Sequence, residues 1–263
     1  MPSENLRPPN MLLTLSETAR AMSEQSALFC SWPYLVNSPQ GDGHPVIVIP
    51  GFIGRDIYNW QLIYHLRLLG YHATGWKQGR NVGQGLLDKN VLIDRVNKLF
   101  SRNQRKVTLI GHSLGGVYAR EIAREWPDEV RQVITLSSPF GHERHTASRL
   151  NKLYNFISPH SGQDDDEFWR ESPPVPTTAI YSRSDGIVNW RATLQKYGHE
   201  QSENIEVYGS HNGMTWNPAV WHVIADRLAQ APYDWQPFKR RGWRRIPFPK
   251  PAWQPSVVQV EDE

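Results

Sequence analysis

An apolar run without polar alternation, HPVIVIP at positions 44–50, constrains the fold most strongly. A strand with one face in water alternates apolar and polar residues, whereas a continuous β-branched run is typical of a strand buried on both faces. The next segment, residues 57–69, has apolar residues at helical spacing and is followed by Gly70, which suits the end of a helix. A buried strand followed by a helix indicates the first βαβ unit of a parallel sheet.

The same alternation of strand and helix patterns continues to residue 230. It predicts further strands over 71–76, 106–110, 130–136, 177–182 and 204–208, and helices over 87–100, 113–126 and 218–230. Six strands separated by helices predict an α/β fold with a doubly wound, mostly parallel sheet. The interval 141–176 is too long for an ordinary connection and predicts a short cap, near the strand ends where ligands bind in such sheets.

A length of 263 residues suits one domain of this kind rather than two. We expect an N-terminal segment over 1–44 with a short amphipathic helix near 11–22, an α/β domain over 45–231 and a C-terminal strap over 232–263. The single cysteine, Cys30, excludes an intrachain disulfide framework and a cysteine-rich zinc module. The sequence has no uncharged apolar run of about 18 residues, which excludes a transmembrane helix.

The C-terminal strap is rich in Pro, Trp and Arg, a composition that favours an extended segment over a helix or strand. Its basic residues cluster at positions 238–250 without an acidic residue, although the net charge of the chain is only +3. We expect the strap to cross the body of the domain, or else to contact an anionic membrane or lipid surface. No nucleic-acid-binding module is recognisable, so no DNA or RNA partner is expected. The first residues lack the apolar core of a signal peptide, which predicts a cytoplasmic location.

The motif that indicates chemistry is G-x-S-x-G at positions 111–115, within GHSLGG. A buried strand precedes it and an amphipathic helix pattern follows it, so Ser113 falls in a strand-to-helix turn at the positive end of a helix dipole. Gly111 and Gly115 have a steric reason to be glycine, because larger side chains would crowd this turn. In this context the motif predicts that Ser113 is a nucleophile.

A serine hydroxyl is a poor nucleophile near neutral pH and needs a histidine base. Three histidines occur late enough in the chain for this role: His199, His211 and His222. His222 falls inside the last predicted helix and His199 precedes the last predicted strand, whereas His211 follows that strand in the loop GSHNGM. The base is therefore predicted to be His211.

The histidine in turn needs an acid that holds its tautomer and stabilises its charge. Asp185 follows the apolar strand pattern 177–182, at the strand end where a catalytic residue is expected. Asp128 lies in a predicted helix-to-strand turn, and the acidic run 164–166 is typical of a solvated surface. We therefore predict Asp185 as the acid.

Acyl transfer also requires hydrogen-bond donors directed at the developing oxyanion. The backbone N–H of Leu114, next to the nucleophile, is the first predicted donor. The second is expected from the loop after the first strand, residues 50–54, where Gly51 permits close approach and Phe52 offers its backbone N–H.

Together these residues resemble the α/β-hydrolase superfamily, in particular bacterial serine esterases and lipases, which share the GHSLGG turn and the SDGIV and GSH loops. The resemblance covers residues 46–230 and implies an α/β-hydrolase fold of about six strands with a short cap. It also implies the triad Ser113, Asp185 and His211, and an acyl-enzyme mechanism on carboxylic esters, often lipid-like ones, with no metal or organic cofactor. The oxyanion loop reads PGF where many relatives carry His-Gly, which is a departure from the family pattern.

Other functions stay open at the level of sequence. The same triad can transfer an acyl group to an alcohol or hydrolyse a thioester, and a hydrolase fold can also serve a non-catalytic binding protein. The pair His142 and His145 has the pattern H-x-x-H, but its spacing and context do not favour a metal site. Five apolar residues are candidates for the lining of an acyl pocket: Phe52, Ile53, Phe156, Phe168 and Trp169.

Overall fold

A computed structural model describes residues 6–83, 89–140, 148 and 172–257. Its strands are β1 (Pro45–Ile49), β2 (His72–Gly75), β3 (Val107–His112), β4 (Val130–Leu136), β5 (Thr177–Tyr181), β6 (Tyr197–Gly198), β7 (Ser202–Glu206) and β8 (Ser256–Val257). Six of them form one sheet in the order β2-β1-β3-β4-β5-β7, and every neighbouring pair is parallel. The predicted α/β fold with a doubly wound, parallel sheet is confirmed.

The last strand of this sheet, β7, lies two residues earlier in the chain than the predicted strand 204–208. The sequence pattern favoured the apolar Val207, but the strand includes the buried polar Glu203 instead. Glu203 has partners from outside the strand, because Arg227 and the Thr178 hydroxyl both donate to its carboxylate. Burial of a charged residue in a strand depends on such partners, which no local pattern reveals.

In the described part of the chain, five α-helices flank the sheet: α1 (Met11–Leu35), α2 (Trp60–Leu68), α3 (Lys89–Asn103), α4 (Leu114–Glu125) and α5 (Pro218–Leu228). Helix α1 is much longer than the helix predicted near 11–22. Its second half is held by burial, since Leu28 and Leu35 are almost fully enclosed in the core. Tertiary packing therefore extends this helix beyond its local amphipathic pattern.

Residues of β1 alternate between two hydrophobic cores, one on each face of the sheet. Val46 and Val48 pack in the core beneath α1, α2 and α5, whereas Ile47 and Ile49 pack in the core beneath α3 and α4. Successive side chains of a strand point to opposite faces, so a strand covered on both sides tends to be apolar along its whole length. This arrangement explains the uninterrupted run that identified β1 in the sequence.

Trp221 of α5 is the largest aromatic side chain of the first core and is fully buried. Its ring stacks on His65 at a centroid distance of 4.7 Å and meets the edge of Trp32 at 6.2 Å. Its indole N–H donates to the carbonyl of Thr215 over 2.8 Å. Burial lowers the pKa of His65 to about 4, so this partner is uncharged at neutral pH.

The C-terminal strap lies on the body of the domain as far as it is described. Phe248 is almost fully buried, and Phe238 packs against the same core and donates its backbone N–H to Glu203 over 2.8 Å. Strand β8 pairs with β6 near the end of the described chain. The tryptophans Trp243 and Trp253 stay substantially exposed, so the phenylalanines dock the strap.

The predicted cap lies outside the described residues except for Ser148 and residues 172–176. The pair His142 and His145 and the pocket candidates Phe156, Phe168 and Trp169 also fall outside them. Within the described part of the chain, no helix is long and apolar enough to cross a bilayer.

We predict that Trp221→Ala lowers the free energy of unfolding by about 3–5 kcal/mol, because it removes a fully buried aromatic ring and leaves a cavity. Denaturant unfolding measures this change. Tyr233→Ala is the control, since Tyr233 is 96% exposed and its loss is expected to change stability by less than about 0.5 kcal/mol. Equal losses in the two variants would contradict the described core.

Candidate active site

Ser113 occupies a tight turn between the end of β3 and the start of α4. Its backbone has φ 51° and ψ −122°, a conformation that residues with a side chain rarely adopt. The turn is held on both sides, because the Ser113 N–H donates to the Leu136 carbonyl and the Ser113 carbonyl accepts from Gly116. A strained backbone maintained in this way is a frequent feature of functional sites.

Three glycines allow the helix to approach the sheet closely at this turn. A Cβ atom on Gly111 would collide with the backbone of Gly115 and Gly116. A Cβ on Gly115 would collide with the Ile49 carbonyl of β1, and one on Gly116 with the Ser138 hydroxyl after β4. The steric reason expected for Gly111 and Gly115 therefore holds, and it extends to Gly116.

Asp185 and His211 form a buried pair at the ends of β5 and β7. The Nδ1 atom of His211 lies 2.7 Å from Oδ2 of Asp185, and both residues are at most 3% exposed. The other carboxylate oxygen of Asp185 accepts from the backbone N–H groups of Ile187 and Val188 over 2.8 and 2.7 Å. The carboxylate can only accept, so Nδ1 of His211 carries a proton and Nε2 keeps its lone pair.

The charges around His211 favour its protonated form. Burial lowers the pKa of His211. The charge and the hydrogen bond of the Asp185 carboxylate, together with the charge of Glu17, outweigh burial and raise this pKa above its ordinary value. An imidazole of raised pKa accepts a proton more readily, as a general base must.

Ser113 and His211 line the same cavity, which has a volume of about 300 Å³. Its wall also includes the apolar or aromatic side chains of Phe52, Ile53 and Trp216. Among the described contacts, no hydrogen bond joins Ser113 Oγ to a ring nitrogen of His211. Such bonds are often long in enzymes without a bound substrate and tighten in the reacting complex.

His112 is a site residue that the sequence analysis missed. Its Nε2 lies 2.9 Å from the His211 carbonyl, and the two imidazole centroids are 4.9 Å apart. Burial, together with the neighbouring His211, lowers the pKa of His112 to about 3, so it is neutral at working pH. A carbonyl accepts only, so Nε2–H of His112 donates and holds the His211 loop against the nucleophile turn.

The loop after β1, which carries Phe52, lies against the nucleophile turn. A Cβ on Gly51 would lie 3.0 Å from Cβ of Ser113, closer than a side chain tolerates without a shift. The buried Asn81 holds this loop through three bonds, donating from Nδ2 to Pro50 and exchanging backbone bonds with Ile53 and Gly54. Phe52 follows Gly51 in this loop and lines the same cavity as Ser113. Asn81, which no motif indicated, supports the loop.

The other two late histidines do not line this cavity. His199 has Nε2 within 2.9–3.0 Å of the carbonyls of Pro173 and Val175. His222 contacts aromatic side chains of α1 and of the strap, including Tyr34 and Trp243. Among the described residues, no group of three or more His, Cys, Asp or Glu side chains has the arrangement of a metal site.

Comparison with models of known protein families shows which family the chain belongs to. The model of the PGAP1-like α/β domain matches residues 78–209, about half of the sequence. The chain belongs to this family. The matched range of the PGAP1-like domain contains Ser113 and Asp185 but ends just before His211. The matched family is an α/β domain, which supports the α/β-hydrolase resemblance noted in the sequence.

Solved structures similar to this PGAP1-like protein share its fold at low sequence identity. A monoacylglycerol lipase of Paleococcus ferrophilus is 15% identical, with a TM-score of 0.52 over 71% of this chain and 96% of the lipase. Mouse α/β hydrolase domain-containing protein 10 is 19% identical, with a TM-score of 0.52 over 71% of this chain and 88% of the mouse protein. No curated protein matches the chain in sequence. The similarity establishes the α/β-hydrolase fold.

We predict that Asp185→Asn lowers the pKa of His211, because the variant lacks the negative charge that stabilises the protonated imidazole, whereas burial still disfavours that form. An NMR titration of the histidine ring signals measures this pKa. Asp234→Asn is the matched control, since Asp234 is exposed and lies in the strap segment away from the cavity. A His211 titration that is the same in Asp185→Asn and in the wild type would contradict the described pair.

Proposed function

We propose that the protein is a serine hydrolase that cleaves carboxylic esters through an acyl-enzyme intermediate. The observation that carries the proposal is the oriented pair of Asp185 and His211 in the wall of the cavity that also holds Ser113. In this proposal Ser113 is the nucleophile, His211 the general base and Asp185 the acid that orients it. The backbone N–H groups of Leu114 and Phe52 form the oxyanion hole.

The first half of the reaction acylates the enzyme. Ser113 Oγ attacks the ester carbonyl carbon while its proton passes to Nε2 of His211, and the carbonyl oxygen becomes an oxyanion facing the two N–H donors. The intermediate then collapses, the bond to the alcohol oxygen breaks, and His211 gives its proton to that oxygen. The alcohol leaves, and the acyl group stays on Ser113.

The second half releases the acid by the same steps with water in place of serine. His211 takes a proton from the water while the water oxygen attacks the acyl carbon. His211 then gives that proton to Ser113 Oγ, which leaves as the hydroxyl. The negative charge of Asp185 stabilises the imidazolium in both halves. No step requires a metal or an organic cofactor.

The substrate we propose is a small ester with an apolar acyl group, lipid-like in character. A cavity of about 300 Å³ lined in part by Phe52, Ile53 and Trp216 offers apolar contact to such a group. The contact of the strap with an anionic membrane stays a prediction, and the described packing of Phe238 and Phe248 gives it no support.

We predict that the wild type hydrolyses p-nitrophenyl esters, and that Ser113→Ala lowers the turnover by about 10⁴-fold or more because the residues of a triad act as a unit. A series from acetate to palmitate, assayed for both proteins side by side, measures the loss and the preferred acyl length.

Ser101→Ala is the control for this assay, since Ser101 is exposed on α3 and does not line the cavity. Equal turnover in the wild type and Ser113→Ala would contradict the assignment of the nucleophile. Serine-dependent transfer to an added alcohol, or a preference for thioesters, would replace ester hydrolysis by the acyltransferase or thioesterase alternative. No turnover of any substrate would favour a non-catalytic binding protein.

A further inference from the structure

Glu17, in the second turn of α1, lies at the centre of contacts that the proposed triad does not explain. Its side chain is almost fully buried. Oε1 accepts the backbone N–H groups of Gly186 and His211 over 2.8 and 3.1 Å, and Oε2 accepts that of Asn212 over 3.0 Å. One carboxylate therefore binds the loop that carries Asp185 and the loop that carries His211.

Other side chains of α1 hold the same two loops. On the Asp185 loop, the Thr14 hydroxyl donates to the Gly186 carbonyl over 2.6 Å. Arg20 donates to the Ser184 carbonyl over 2.7 Å and to Glu17 over 2.8 Å. On the His211 loop, the backbone N–H of Ser210 donates to Oε1 of Glu24 over 2.6 Å. Three consecutive backbone N–H groups, from residue 210 to residue 212, thus donate to carboxylates of this helix.

The two loops pack closely against α1. A Cβ on Gly186 would collide with the Leu13 carbonyl of α1, and one on Gly213 would collide with Glu24. Both loops therefore approach α1 closely at a glycine, one beside Asp185 and one just after His211. A change in the Glu17 side chain, which binds both loops, therefore affects both of them.

Glu17 also contributes charge at His211. Among the described residues, the charged or titratable groups around this imidazole are Asp185 on the β5 loop, Glu17 on α1 and His112 at the end of β3. Two further groups of α1 lie next to them, since Arg20 binds Glu17 and Glu24 binds the backbone of Ser210. The Glu17 carboxylate raises the pKa of His211, in the same direction as Asp185. Burial raises the pKa of Glu24 to about 7, so its charge is incomplete near neutral pH, whereas Arg20 is paired directly with Glu17.

We propose that Glu17 is a positioning residue of the active site, which fixes the Asp185 and His211 loops relative to each other and strengthens His211 as a base. The inference rests on the proposed function, in which His211 accepts the proton of Ser113. Glu17 does not line the cavity and has no described contact with Ser113, so it acts through the backbone of the two loops.

The chemistry of a carboxylate is essential to this role. Both oxygens of Glu17 accept hydrogen bonds from main-chain N–H groups, whereas an amide offers one oxygen and presents an NH₂ group on the other side. In Glu17→Gln, that NH₂ group faces an N–H of one of the two loops, which is left without an acceptor in a buried place. One loop must then move, and the negative charge beside His211 is lost.

We expect Glu17→Gln to lower kcat for p-nitrophenyl butyrate by about tenfold to 100-fold with little change in KM, since displacement of a reacting group by about 1 Å has effects of this size. The acidic limb of the kcat/KM profile moves to lower pH, because His211 loses a charge that raised its pKa. Glu24→Gln keeps an oxygen for its single main-chain bond and is expected to lose less activity than Glu17→Gln.

Glu200→Gln is the matched control, because Glu200 is exposed and precedes β7 at the opposite edge of the sheet. It is expected to keep the wild-type kcat and pH profile.

The decisive comparison is the NMR titration of His211 in the wild type, Glu17→Gln and Glu200→Gln, which does not depend on ester turnover. If the wild type hydrolyses no ester, the proposed function fails, and this titration still decides whether Glu17 strengthens His211.

The proposal is overturned if folded Glu17→Gln keeps the wild-type kcat, or if His211 titrates in that variant as it does in the wild type. Thermal melting establishes whether each variant is folded. If Glu17→Gln does not fold, Glu17→Asp decides, because it keeps the charge but is one methylene too short to reach both loops. A fall in its kcat at unchanged KM supports the proposal, and an unchanged kcat overturns it.

Discussion

The first turn of α4 touches the sheet backbone, and the geometry of the site depends on this close approach. Gly111, Gly115 and Gly116 have no space for a side chain, so the helix can begin directly at the end of β3. Ser113, in the turn between β3 and α4, adopts a strained backbone conformation with a positive φ of 51°. The first turn of a helix has N–H groups without an intrahelical acceptor, which suits the oxyanion that we propose beside Ser113. With larger residues at the three glycines, neither the serine nor the helix N-terminus could occupy this place.

The order of the strands determines which loops meet at this turn. Because all six strands of the main sheet are parallel, their carboxyl ends lie at one edge, and the loops after β1, β5 and β7 converge there. Helix α1 then closes the far side of the Asp185 and His211 loops through Glu17. The family match over residues 78–209 includes neither Glu17 nor His211. The residue that we propose as the base and the residue that we propose to position it therefore both lie outside the matched range.

The sequence predicted the sheet because strands such as β1, which is buried on both faces, have a continuous apolar run, and this signal is local. The sequence also predicted Ser113, Asp185 and His211 together as a triad, because each of them follows a strand pattern. The contacts of Glu17 join residues more than 160 positions apart, and a single sequence carries no signal for them. Asn81 and His112 were missed for a related reason, since their roles depend on which carbonyl lies next to them in space. The length of α1 and the register of β7 depended on burial and on the partner Arg227, which local periodicity does not contain.

The most direct test of the account is the site at which a fluorophosphonate ester reacts with the native protein. Such a probe phosphonylates an activated serine, with fluoride as the leaving group, and mass spectrometry of the digest locates the adduct. We expect one adduct, on the peptide that contains Ser113, formed in the wild type and greatly reduced in His211→Ala. An adduct on another serine, no adduct in the wild type, or equal labelling in both proteins would contradict the claim that His211 activates Ser113.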